Sequence, residues 1–372
     1  MKRTSWLMAI TTTLLLSPAF GADKTPNTEP GALDGAIPDN DDRVRFYTTP
    51  REKREAGVGT KLSDWLTFYG LLEVEASTTK DQFRNTSKTS TLEESTTTVQ
   101  LGFKAAFDEN VEAEIVLEFD DSQSESTSVD EAFVELKKGD AGVLIGREAL
   151  PFGEYYSHFV TDPLLEFGET TRNTVQFGYE YEDIFEAAVF VYDGNSEKVG
   201  DEGKIREWGA ALNFMFLNNR IAFGASYLSN LADSDAELLS DFDNMYEQKV
   251  GAWSAYAAFR PGNWEMTLEG VQAAEEFREL PANANEPRAW NAEIAYYIGR
   301  TWEIAARYER SAELEDKPEE RYGIGATWAA HRNVTLSLEY LQGNFKPGFA
   351  FDDDGNELKR EQIMAAQVAV IF

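Results

Sequence analysis

The stretch of this chain richest in groups able to act on a solute runs from Arg147 to Arg172. It holds Arg147, Glu154, His158, Asp162, Glu166, Glu169 and Arg172, interleaved with Leu150, Phe152, Tyr155, Tyr156, Phe159, Leu164, Leu165 and Phe167. Such a density of carboxylates, guanidinium groups and one imidazole suits either catalysis or the sorting of solutes by charge. Catalysis finds little support. Ser157 and His158 are adjacent, so an extended backbone sends them to opposite faces, and no Gly-x-Ser-x-Gly elbow occurs. With two histidines and no cysteine, neither disulfides nor thiolate metal sites are available. Asp352, Asp354 and Asn356 begin a calcium-loop spacing, but Glu357 stands where that loop needs glycine. No catalytic residue, cofactor or metal ligand is assigned, and the chain is not expected to be an enzyme.

The elements that must position these groups are strands. From residue 61 onward apolar and polar residues alternate with period two. Leu66, Phe68, Leu72, Val74 and Ala76 share one face, with Glu73 and Glu75 on the other. Sixteen such segments are counted, the fifth (around 143–147) being the least clearly sided. Short turns alternate with longer connections around 78–96, 120–128, 149–173, 193–204, 229–248, 273–288, 311–319 and 343–360. An even strand number with alternating short and long connections predicts an all-β, up-and-down transmembrane β-barrel with short periplasmic turns and long external loops. The last strand carries Met364, Ala366, Val368, Val370 and Phe372 on one face, the kind of C-terminal strand that the barrel assembly machinery of bacterial outer membranes recognises. Tryptophans fall in two belts, Trp208, Trp253 and Trp290 at one rim, Trp264, Trp302 and Trp328 at the other.

The other chain end agrees. Residues 1–21 read as a signal peptide, with Lys2 and Arg3 before an apolar run from Leu7 to Leu16 and a cut after Gly21. Residues 22–60 read as a flexible periplasmic N-terminal segment, and 61–372 as the barrel. No stretch has the roughly 20 apolar residues a membrane helix needs. Mean hydropathy is −0.43, as a barrel with a polar lumen also gives. The net charge of −32 excludes nucleic acid as a natural partner and favours cations or neutral solutes.

On the lumen side the alternation places Glu73, Lys104, Glu114, Glu131, Arg220, Glu269, Arg307 and Arg321, with carboxylates in excess. A sixteen-stranded barrel is wide enough for an aqueous channel, and charged walls sort solutes. The 149–173 connection is the third external loop. It is too apolar to stand in water, so it either folds into the barrel as a constriction or packs under other loops.

Several motifs make the chain similar to the LbtU-type siderophore porins of Gram-negative outer membranes. They are Tyr69-Gly70 with Glu73, Val129-Asp130-Glu131-Ala132-Phe133, Gly146-Arg147 and Pro151-Phe152-Gly153. Ser157-His158, Asp162-Pro163-Leu164, Gly168-Glu169-Thr170 and Tyr192-Asp193-Gly194 continue the match. The resemblance implies a plug-free barrel mediating siderophore transport and iron uptake; on the constriction reading of the third loop, that loop would lie beside the solute. The family's prototype also has an N-terminal coiled coil, whereas 22–60 shows no heptads. The alternative is a general diffusion porin with cation preference. Expected partners are a siderophore or small solute, outer-membrane lipid and lipopolysaccharide, the assembly machinery through Phe372, and further copies in a homotrimer.

Overall fold

The computed structural model describes residues 59–87, 89–121, 127–182, 184–199, 207–352 and 354–372. The expected signal peptide (1–21) and the expected N-terminal segment up to residue 58 lie outside the described residues. Sixteen antiparallel strands follow one another: β1 (Leu66–Phe83), β2 (Thr89–Asp108), β3 (Val111–Asp120), β4 (Ser128–Lys138), β5 (Ala141–Ala149), β6 (Thr171–Tyr181), β7 (Phe185–Tyr192), β8 (Glu207–Phe216), β9 (Ile221–Leu228), β10 (Ala252–Phe259), β11 (Trp264–Ala273), β12 (Arg288–Ile298), β13 (Trp302–Ala312), β14 (Glu320–His331), β15 (Val334–Asn344) and β16 (Leu358–Ile371). β16 pairs with β1 in the register Val368↔Val74 and Val370↔Leu72, which closes the barrel. Closure leaves no open edge, so the backbone groups of the wall are paired, as an apolar surround demands. Phe372 exchanges both backbone hydrogen bonds with Gly70. Beyond it a short strand, Thr60–Ser63, continues the ladder along the start of β1.

The strands form because every second side chain suits lipid and the others suit water. Leu212, Leu268, Ile304, Ile324, Leu338 and Met364 point outward and are exposed. Glu265, Glu269, Glu293, Glu303, Glu309 and Glu339 point inward and are buried. This inverts the pattern of a water-soluble sheet. The aromatic belts are built from short runs of ring contacts between neighbouring strands. At the long-loop rim Tyr227 lies 5.2 Å from Trp208 and 4.6 Å from Trp253, and Tyr308 lies 5.0 Å from Trp290. At the short-turn rim Trp302 stacks on Trp328 at 5.6 Å, and Trp264 meets Tyr296 at 4.6 Å.

Two expectations change. β1 and β2 run 18 and 20 residues, so the first connection shrinks from the expected 78–96 to about 84–88. Their extra length is rich in threonine, which keeps strand propensity without apolar alternation. The last connection likewise shortens to 345–357. The fifth strand is regular after all. Val143 and Ile145 pair with Leu136 and Val134 on the outer face. Gly146 takes φ +149°, where a Cβ would meet the Ala132 carbonyl oxygen at 2.2 Å.

The largest apolar cluster lies at the long-loop end. Leu150, Phe152, Tyr155, Leu164, Leu165 and Phe167 of the third loop pack with Leu231, Leu239, Tyr246 and Val250 of the fifth, Phe277 of the sixth and Leu314 of the seventh.

Candidate functional site

The third loop, residues 150–170, starts and ends with Leu150 N–H donating to the Thr170 carbonyl. Between these points its backbone is bonded to lumen-facing side chains. Gly153 N–H donates to Ser226 on β9 at 3.0 Å. Glu154 and Tyr155 both donate to the Glu269 carboxylate on β11, at 2.7 and 2.9 Å. His158 N–H donates to Glu293 on β12 at 2.7 Å. Val160 and Thr161 donate to Glu339 on β15 at 2.7 and 2.9 Å, and the Thr161 hydroxyl adds a third bond to the same carboxylate. Leu164 N–H donates to Glu309 on β13 at 2.6 Å. Carbonyls are met in turn: Arg307 on β13 donates to Thr161 O at 2.7 Å, and Arg321 on β14 to Asp162 O. A loop with no partner strand thus satisfies its polar backbone on wall side chains, and anionic acceptors make these bonds stronger than neutral ones.

Arg307 is the centre of this anchoring. Its side chain has no exposed surface; it bonds Glu293 at 2.8 Å and the Ser157 hydroxyl, and lies 3.7 Å from Glu309. Its guanidinium carbon sits 4.4 Å from the Phe159 ring centroid. Gly323 and Gly325 give that ring room, since a Cβ at Gly323 would reach it at 2.8 Å.

The expected site residues divide into groups. Glu154, Asp162 and Glu166 belong to the loop, where Glu154 is buried and Asp162 and Glu166 are half-buried. His158 does not face a solute path: it is buried between loop and wall, with Nδ1 3.1 Å from Glu303. Glu169 and Arg172 are also buried. Arg172 holds the loop's base to the fifth loop through the Asp233 carbonyl and the Asp235 carboxylate. Asp233 in turn accepts Ser196 N–H at 2.9 Å and Asn230 Nδ2 at 3.0 Å. Arg147 is a correction. It pairs with Ala132 on the outer face and donates to the Val129 carbonyl; the inward residue is Glu148, set opposite Arg172. Period two on either side of Gly146 gives that siding, so the sequence held the signal. Arg220 is another correction: it is an exposed residue of the β8–β9 turn, not part of the wall. Glu73, Lys104, Glu114, Glu131, Glu269, Arg307 and Arg321 stand on the inner face. Sequence reasoning missed Ser226 and the fifth-loop pair Asp233 and Asp235.

Burial disfavours charge on His158, but the Glu303 carboxylate and its hydrogen bond, helped by Glu265 and Glu293, outweigh it and hold the imidazole pKa up at about 9. Burial pushes the Asp162 carboxyl up to about 7 against the pull of Arg307, Arg321 and Lys317. Glu166 is raised by burial and by its neighbours Asp162 and Glu169.

Across the lumen, β3 and its neighbours face the loop-bearing wall. Lys104 lies 2.6 Å from Glu112, the Tyr69 hydroxyl donates to Glu114, and Gln100 donates to Glu118 at 2.8 Å. Toward the short-turn end, Glu154 and Tyr156 roof a cavity of about 720 Å³ bounded by the ends of β6–β12.

A family model described as Gram-negative porin matches residues 61–348, more than three quarters of the chain. The outer-membrane channel DcaP of Acinetobacter baumannii is 14% identical with a TM-score of 0.58, over 84% of this chain and 99% of that one. The anion-selective porin from Comamonas acidovorans is 10% identical with a TM-score of 0.62, over 82% and 99%. The trimer form of OmpT from Vibrio cholerae is 13% identical with a TM-score of 0.54, over 84% and 99%. At these identities the likeness is one of fold. Comparison with curated proteins gives no match. With its closed sixteen-stranded barrel, lipid-suited exterior and charged lumen, this chain belongs to the Gram-negative porin family and is a multi-pass channel of the Gram-negative outer membrane.

Proposed function

We propose that the third loop narrows this porin and that the channel passes cations and neutral solutes in preference to anions. The observation that carries this is the use made of the wall's guanidinium groups. Arg307 and Arg321 are spent on loop carbonyls and wall glutamates, so neither is presented to a solute. The wall opposite bears Glu73, Glu112, Glu114, Glu118 and Glu131 against Lys104 and Lys137. An acidic ring in a narrow aqueous path favours cations. Reversal potentials across a KCl gradient in planar bilayers test this: potassium is expected to be the more permeant ion, and chloride preference would refute it.

Siderophore uptake is the second reading, and its support is the resemblance centred on residues 129–194. The acidic wall suits a neutral or cationic complex better than a carboxylate siderophore. Iron-limited growth of a deletion strain supplied with siderophores of both charge types tests it; unchanged uptake of all of them would rule it out. For partners, the OmpT trimer form supports a homotrimer, the acidic external loops suit the divalent ions of lipopolysaccharide, and the strand ending in Phe372 suits the assembly machinery. Cross-linking in native outer membranes tests the trimer.

A further inference from the structure

We infer that this channel binds an uncharged polyhydroxylated solute, a small saccharide, in the cavity beneath its third loop, and that Asn213 and Tyr256 read its hydroxyl groups. The inference rests on the proposed narrowing of the lumen by that loop, which lays Glu154 and Tyr156 over the cavity.

One inner-face row builds the cavity wall. Glu180 on β6 pairs with Glu186 on β7, and the row continues through Asn213 on β8, Gly224 on β9, Tyr256 on β10, Glu269 on β11 and Asn291 on β12. Directly paired residues of an antiparallel sheet project to the same face, so these side chains meet over one patch of wall. The glycine in the middle is what lets them close up. A Cβ on Gly224 would come within 2.2 Å of Asn213 Oδ1 and 2.5 Å of Tyr256 Cε1. Asn213 and Tyr256 therefore lean together over Gly224 from the strands on either side. Ala222 and Ala258 beside them are small, and the space left, about 720 Å³, has the size of a ligand pocket.

Charged groups inside this cavity already have partners. Glu269 accepts the N–H groups of Glu154 and Tyr155 and the Ser254 hydroxyl. Glu154, Glu180 and Glu186 are engaged as well, and Arg260 bonds Glu265 at 2.6 Å. Glu182 stands exposed on the turn at the mouth. The groups left over are neutral. Among the described residues the Asn213 amide and the Tyr256 hydroxyl make no hydrogen bond, and both residues are half-buried. On the same wall, Thr267 Oγ1 and Asn291 Oδ1 are buried without a partner. Polar atoms left unsatisfied by the protein call for a partner from outside it.

These groups select a class of solute. An amide and a phenol each donate and accept, and a hydroxyl answers both roles with one atom. An ammonium group only donates, so it leaves the Asn213 amide N–H groups without an acceptor. A carboxylate only accepts, and it would lie beside Glu154, Glu186 and Glu269 with no free guanidinium to offset them. Tyr156 and Tyr256 add ring faces against which the C–H face of a sugar ring can pack. The Tyr156 ring is held by its edge contact with His158, at 5.0 Å.

The test is block of ion current by glucose, maltose and maltotriose, added to the full-length chain in planar bilayers. Block should saturate, with half-block at roughly millimolar concentration. Tyr256→Phe removes only a hydroxyl and Asn213→Leu only an amide; each should weaken block about tenfold. Gly224→Ala deletes no polar group, yet its methyl would take the place of Asn213 Oδ1, so block should weaken there too. Gln272→Ala, at an exposed position on the outer face of β11, should be blocked as wild type is. Block is read as a fraction of each channel's own open current, so altered conductance is not mistaken for lost binding. A current that falls with bulk viscosity without saturating, or block that is equal in wild type, Tyr256→Phe and Asn213→Leu, would overturn the inference. Saturable block by tetraethylammonium or citrate, with none by the saccharides, would overturn it too. Chloride preference in the KCl gradient refutes the proposed cation preference alone, and saccharide block is then still decided by its own records.

Discussion

Replacing Arg307 by glutamine should unseat the third loop while leaving the barrel closed. The guanidinium bonds Glu293, Ser157 and the carbonyls of Thr161 and Asp162, and its side chain is fully buried. Removing one partner of a buried ion pair costs about 3–5 kcal/mol, because the carboxylates left behind stay desolvated. Glu293 keeps His158 N–H and Asn291 Nδ2, which sets the cost toward the lower end. The loss falls on the loop, since the wall strands stay paired along their whole ladders. At about 1.4 kcal/mol per decade, the ratio of seated to unseated loop drops by roughly two to four orders of magnitude. Single-channel recording should show higher conductance and stronger open-channel noise. Arg307→Lys keeps the charge but not the planar fork, so it should lie between wild type and Arg307→Gln. A heat-modifiable band on unboiled gels would show that the barrel is intact. If Arg307→Gln, folded by that criterion, conducts with wild-type amplitude and noise, the loop is not held as described.

Glu339→Gln removes the charge that accepts three loop bonds yet leaves a carbonyl oxygen. It should weaken seating by about 1.5–3 kcal/mol, seen as increased noise without loss of folding. His158 supplies a pH test. Its pKa is raised from the ordinary imidazole value of 6.5 to about 9, so its contribution is fully present below pH 6.5 and is lost as pH rises through about 9. Channel noise should grow across that window, and His158→Gln should abolish the step; an unchanged step would implicate other groups. On the outer face, Leu268→Lys should destabilise the barrel by about 2–4 kcal/mol in urea titrations in lipid, whereas the inward neighbour Thr267→Lys should cost far less. Equal effects would contradict the assigned siding of β11.

What was legible in the sequence follows from which solvent each residue meets. Lipid tolerates only apolar side chains, so Leu268, Ile304, Ile324 and Met364 had to recur at period two, and strand number and siding could be read from them. Water tolerates nearly anything. The threonine-rich ends of β1 and β2, which carry no such constraint, therefore looked like loop. Siding was lost at Arg147 because a charged residue near the rim invites an inward assignment, although Val143 and Ile145 already placed it outside.

The lumen shows a deeper limit. Period two placed Glu269, Glu293, Glu309 and Glu339 inside, where a sequence reader counts them as sources of field. Three-dimensional pairing gives them another task. Each accepts backbone N–H groups of the third loop across 114 to 179 residues of chain, a pairing that no local pattern encodes. The apolar residues of that loop announced that it must be buried, but not that its polar backbone would need acceptors once there. A loop carried away from water has to replace the hydrogen bonds water gave it. With no strand edge free in a closed barrel, wall side chains supply them beside the loop's own turns. An acidic, arginine-bearing inner wall is therefore a condition for seating the loop as much as a filter for solutes. On the proposed cation preference, it is the charge left over after seating, rather than the total of −32, that a solute meets.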